Sequence, residues 1–170
     1  MAYENKDHHD KVLYYLDELS GYKVASEDND VRGWEVVDPL NRTIGEVDNL
    51  LVNKNTERVV YLDVEIDDSL AEEITKSNDR PSAQTHEFVN EEGENHLIIP
   101  VGTVTLDEDN KKVYAKDIAY ERFLHAKWIK KGTPIDRDYE TRTFKNYFPE
   151  ESDVRMDEDF YDRREFRHRS

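Results

Sequence analysis

Residues 30–66 read DVRGWEVVDPLNRTIGEVDNLLVNKNTERVVYLDVEI, and this stretch decides the fold. Three β-rich runs, 31–37, 43–52 and 58–66, are separated by the polar connectors PLNR (39–42) and KNTE (54–57). In the third run Val60, Leu62, Val64 and Ile66 alternate with Val59, Tyr61, Asp63 and Glu65. A period of two marks a half-buried strand, so Asp63 and Glu65 are expected on the solvent side. The middle run loses its alternation around Gly45 and at Asp48-Asn49, which suggests a bulge or a corner. The stretch reads as an antiparallel meander that bends.

Working outward, the polar residues 76–95 read as a surface loop. THEFV (85–89) and HLIIPVGTVTL (96–106) flank the turn NEEGEN and suggest a second hairpin. Pro100 has no amide hydrogen to donate, so its strand lies at an edge or bulges there. DEDNK (107–111) turns the chain into a last short strand at 112–118. Five or six strands with turn chemistry between them predict a mainly β fold, a small bent antiparallel barrel over 21–118. Val60, Leu62, Val64, Ile99 and Val101 are expected in its core. In front of it, Val12, Leu16 and Leu19 fall at helical spacing and predict an N-terminal helix within residues 1–20. Behind it, residues 119–148 form a partly helical or irregular extension rich in aromatic rings. Tyr120, Phe123, Trp128, Tyr139, Phe144, Tyr147 and Phe148 must cover their own barrel or a neighbour's. They are the candidate interaction surface, and a homodimer is one expectation they raise. Residues 149–170 read as a charged, flexible tail.

Of the 170 residues, 38% are charged and 36% hydrophobic, and cysteine is absent. Disulfides, thiol catalysis and thiolate metal sites drop out together, and a cytoplasmic setting is expected. No apolar run approaches the roughly 20 residues of a membrane-spanning helix. Residues 1–118 carry 12 Lys/Arg against 28 Asp/Glu, hence −16, whereas 119–170 carry 12 of each, so the barrel region holds the whole net charge of −16. A phosphate backbone would be repelled, and generic nucleic-acid binding is disfavoured.

Sequence motifs for chemistry are missing: GxSxG, GxGxxG, a Walker loop and HExxH do not occur. His8 and His9 are adjacent, and His86, His96, His125 and His168 lie in separate elements without ligand spacing. The clusters Glu27-Asp28-Asp30 and Asp107-Glu108-Asp109-Asn110 lack the glycine and glutamate positions of a calcium loop and read as turns. No catalytic residue, metal site or cofactor is expected, and an enzyme is the least favoured reading.

The 30–66 stretch resembles the PRC-barrel, the β-barrel of the cytoplasmic domain of the photosynthetic reaction-centre H subunit. The entry Asp30–Gly33, the turn before Ile44-Gly45, the strand with Val47, Leu50 and Val52, and Tyr61-Leu62 carry the likeness. LIIPVG at 97–102, with Pro100 and Gly102, is similar to that family's IP-G strand, and KKVYAKDI to its closing strand. YERF, PIDRDYE and NYF extend the likeness to residue 148. Gly33 and Gly45 suit close backbone approach or positive φ, and Trp34 and Tyr61 offer large buried area. The resemblance implies a free-standing, non-enzymatic binding or assembly module without the H subunit's membrane helix. Its alternatives are a photosynthetic accessory protein influencing electron or proton transfer, and a ribosome-associated maturation factor or stress-response protein. The proton-delivering acids of the H subunit's second meander turn are not matched in register by Lys54–Glu57. The protein partner is left open.

Overall fold

The structure is a computed structural model and describes residues 12–19, 30–54, 56–70, 95–149 and 164–166. The fold is mainly β. Its strands are β1 (Leu13–Tyr15), β2 (Glu35–Val37), β3 (Thr43–Asn53), β4 (Arg58–Ile66), β5 (Asn95–Pro100), β6 (Thr105–Asp107), β7 (Lys112–Tyr114) and β8 (Ile129–Lys130). They form one sheet in the order β6-β7-β2-β3-β4-β5-β8, with β1 paired to β3. The meander is present as expected, since β2, β3, β4 and β5 are successive antiparallel neighbours. With 11 residues, β3 has room for two partners along one edge, β2 on its first half and β1 on Leu51–Asn53.

One feature of the expected antiparallel barrel is corrected. β7 runs parallel to β2, so the sheet is mixed. Among the described residues no ladder joins β6 to β8, so hydrogen bonds do not close the sheet. The link from β5 to β6 explains the parallel pair. The chain leaves Pro100, makes a 3-10 turn at Val101–Thr103 and enters β6 at Thr105 in the same sense as β5. Its hairpin partner β7 must then run with β2. This short link also demands curvature. In the strand order, β5 and β6 lie five spacings apart, roughly 24 Å in a flat sheet, whereas the five residue steps from Pro100 to Thr105 span at most about 18 Å. The sheet curls.

The larger apolar cluster fills one face, with Val36, Ile44, Val47, Leu62, Val64 and Ile99 joined by Val101 and Val104 of the crossing link. Helix α1 (Tyr120–His125) adds Phe123 to it. The second face carries a smaller cluster built from Leu51, Val60, Tyr61 and Ile98, covered by β1, by helix α2 (Arg137–Tyr147) and by Phe166. All five expected core residues are buried, but Val60 belongs to the second face, because the β3–β4 register shifts between Leu51 and Val52. α2 is N-capped by Asp136, whose side chain accepts from the Tyr139 amide at 2.8 Å.

The N-terminal helix is corrected where it is described: residues 13–18 are a strand and a 3-10 turn. Pairing with β3 outweighs three apolar residues at helical spacing, and the Lys54 amide extends the ladder by donating to the Val12 carbonyl at 2.9 Å. Of the loop expected over 76–95, Asn95 opens β5, and residues 76–94, with the strand expected at 85–89, lie outside the described residues, as does most of the tail. Within the tail, residues 164–166 form a 3-10 turn with Phe166 fully buried, and Arg58 Nη2 donates to its carbonyl at 3.1 Å. No helix among the described residues is long and apolar enough to cross a membrane.

Candidate functional site

The residues singled out in the sequence are structural in placement. Gly33 has φ +91, in the left-handed region. A Cβ on Gly45 would meet the Glu65 carbonyl oxygen at 2.1 Å, so β3 and β4 could not approach as they do with any other residue. Trp34 and Leu62 lie in the first core, Tyr61 in the second, and Gly102 is buried in the crossing turn. Pro100 ends β5 where β8, which pairs only with Asn95 and His96, no longer reaches. Its missing N–H therefore breaks no ladder there.

The aromatic extension turns inward. Tyr120, Phe123, Trp128, Tyr139, Phe144 and Tyr147 are buried in their own chain, and Phe148 is half-buried. Their polar atoms are tied down as well: Tyr147 Oη donates to the Ile98 carbonyl at 2.8 Å, Tyr139 Oη to Lys127 at 2.9 Å and Trp128 Nε1 to Phe123 at 3.1 Å. These rings cover their own sheet and offer no large apolar surface to a second copy.

The chemistry gathers elsewhere on the second face. Register runs Val47↔Val64 and then Asn49↔Asp63, so Asp48 is the extra residue of a β-bulge. A bulge re-aims its side chain, and here it brings Asp48 beside β4 and β5. One ligand atom from each of Asp48, Asp63 and His96 lies within 4.8 Å of the others. Asp63 and His96 are both 1% exposed, and His96 Nδ1 meets Asp63 Oδ1 at 2.8 Å. The expectation that Asp63 faces solvent is thus corrected, because the layer of α2 and β1 covers this part of the face. Burial raises the Asp63 pKa, and the His96 contact only partly offsets that. Burial works against a charged His96, yet the Asp63 hydrogen bond and charge, with Asp48 and Glu65 behind it, hold its pKa above the ordinary value. Asp48 is half-buried and meets Lys131 Nζ at 3.4 Å, and that lysine is exposed.

Past the pair, the same face becomes acidic and open. Glu35 stands opposite Glu46, Glu46 opposite Glu65, and Glu65 opposite His96, one row across four adjacent strands. Among the described residues none of the three glutamates is salt-bridged; Glu35 accepts from Thr43 Oγ1 at 2.7 Å. Lys112 ends the row beside Glu35, but its ammonium reaches Asn41 Oδ1 at 3.2 Å. The three glutamates line an open groove of about 480 Å³, together with Asp67 and Asp68.

Sequence spacing could not assemble this cluster, since its ligands come from three strands. The signals were present singly: a phase slip at Asp48-Asn49, an acid at Asp63 inside an apolar run, and a histidine heading HLIIP. No family model matches this chain, and no curated protein matches it.

Proposed function

We propose that this chain is a non-enzymatic binding and assembly module, a PRC-barrel-like relative of the reaction-centre H subunit's cytoplasmic domain, working in the cytoplasm through its acidic row. The curl demanded by the short β5–β6 link supports barrel-like closure, and the bulged meander with its Gly45 contact supports the kinship. The observation that carries the function is the Glu35–Glu46–Glu65 row. Like charges directly opposite on neighbouring strands destabilise a sheet, and folding does not call for two such pairs in succession. A basic segment of a protein partner, laid along the groove, would neutralise them.

The test is fluorescence anisotropy with a Lys/Arg-rich peptide. The unaltered chain should bind it more weakly as salt rises, and Glu46→Lys with Asp68→Lys should lose about tenfold or more in affinity. Glu108→Lys with Asp109→Lys, on the exposed β6–β7 turn, should change little. Equal losses in both variants would mean general acidity and no groove. The same row suits a basic ribosomal protein, which keeps a ribosome-associated role as the second reading. Retention on immobilised ribosomes at moderate salt, abolished by the groove variant, would select it.

A further inference from the structure

We infer that Asp48, Asp63 and His96 form a site for a first-row divalent metal ion, with Lys131 as the counter-cation that the ion displaces. The inference goes beyond the acidic row and does not rest on it. The donor set is one imidazole and two carboxylates, converging within 4.8 Å. Donor atoms around one tetrahedral Zn²⁺ stand about 3.3 Å apart, so small side-chain rotations close the set. The strands fix the backbone of all three ligands, because Asp63 sits between β3 and β5 in register and Asp48 occupies the bulge beside it.

One buried atom in the cluster points to a missing ligand. Asp63 Oδ2 has no hydrogen-bond partner among the described residues, although the side chain is 2% exposed. A buried carboxylate oxygen left unpaired is costly, and native structures seldom keep one so. Lys131 does not relieve it, since its contact is with Asp48 Oδ2 at the rim, and His96 presents Nδ1 to the same carboxylate. That rim is the entry path: the side chain of Asp48 is 26% exposed and that of Lys131 57%.

The donor types choose the class of metal. A lone imidazole with two carboxylates and no thiolate suits Zn²⁺, Co²⁺, Mn²⁺ or Ni²⁺, whereas Ca²⁺ needs six to eight oxygens. Three protein ligands leave a coordination position for water or for a group from another molecule.

The experiment uses the full chain, stripped with chelator, and titrates Zn²⁺ by calorimetry with Co²⁺ absorption as a second reading. One Zn²⁺ per chain is expected, with Ca²⁺ not competing. Asp48→Asn, at the open rim where folding is least disturbed, should weaken Zn²⁺ by about tenfold or more and erase the Co²⁺ bands. Lys131→Ala should bind Zn²⁺ more tightly, by about two- to fivefold, the range an exposed ion pair allows. Zn²⁺ affinity unchanged in Asp48→Asn would overturn the site. An equal loss in the control Asp109→Asn would reduce binding to surface acidity and overturn it too, and no tightening in Lys131→Ala would remove the lysine's role.

Discussion

Tyr61 and Glu65 stand four residues apart on one face of β4, and their surroundings are opposite. The Tyr61 ring meets Phe166 edge-on at 5.2 Å between centroids, and its hydroxyl donates to buried Glu140 Oε1 at 2.8 Å. Glu65 is exposed beside Glu46 and His96. Asp63 lies between them, at the border where the covering layer ends. Strand periodicity assigns all three to one face but says nothing about what covers that face. Cover comes from distant chain, from β1, α2 and residues 164–166, and the chemistry sits where the cover stops.

The sealed end gives the largest effect. Phe166→Ala should cost about 3–5 kcal/mol in denaturant melts, because the ring is fully buried against Tyr61 and Phe144. A loss below about 1 kcal/mol would show that the 164–166 turn does not hold the second core together in solution. Leu62→Ala probes the opposite face of the same strand. At 3% exposure within the larger core it should cost about 2–5 kcal/mol, and a near-zero loss would reverse the assignment of the two faces.

A smaller effect is expected from Tyr61→Phe, which keeps the ring and removes the hydroxyl. It takes one donor from Glu140, itself 1% exposed, and should cost about 1–3 kcal/mol. A neutral result would mean that the other contacts of Glu140 hold it without Tyr61.

How much of this was legible follows the same border. The 43–53 and 58–66 strands, the Gly45 approach and the slip at Asp48-Asn49 were readable, because each depends on near neighbours in the chain. The parallel β2–β7 pair was not, since it follows from a curl imposed by the β5–β6 link. Residues 13–15 carry a pattern that fits strand or helix until β3 is placed beside them. The ring-rich sequence of 119–148 fits cover for its own barrel or for a neighbour's, and the inward hydrogen bonds of Tyr139 and Tyr147 decide for its own. The site was least legible: Asp63 and His96 are 33 residues apart, and only the β4–β5 register brings them together.

The smallest effect belongs to the open end, and its sign is the informative part. Glu46 stands between Glu35 and Glu65 on the two neighbouring strands, without a salt bridge among the described residues. Glu46→Gln preserves size and removes the middle charge, so both like-charge pairs disappear at once. Stability should rise by about 0.2–1 kcal/mol at low ionic strength, where most substitutions lower it. Added salt already screens exposed charges, so the gain should shrink as ionic strength rises through 0.1 M and beyond. Paired denaturant melts at low and high salt measure both quantities. A loss of stability, or a gain indifferent to salt, would mean that the row is not electrostatically strained. The contrast with Tyr61 would then be one of exposure alone, and the case for a basic partner along the groove would lose its physical ground.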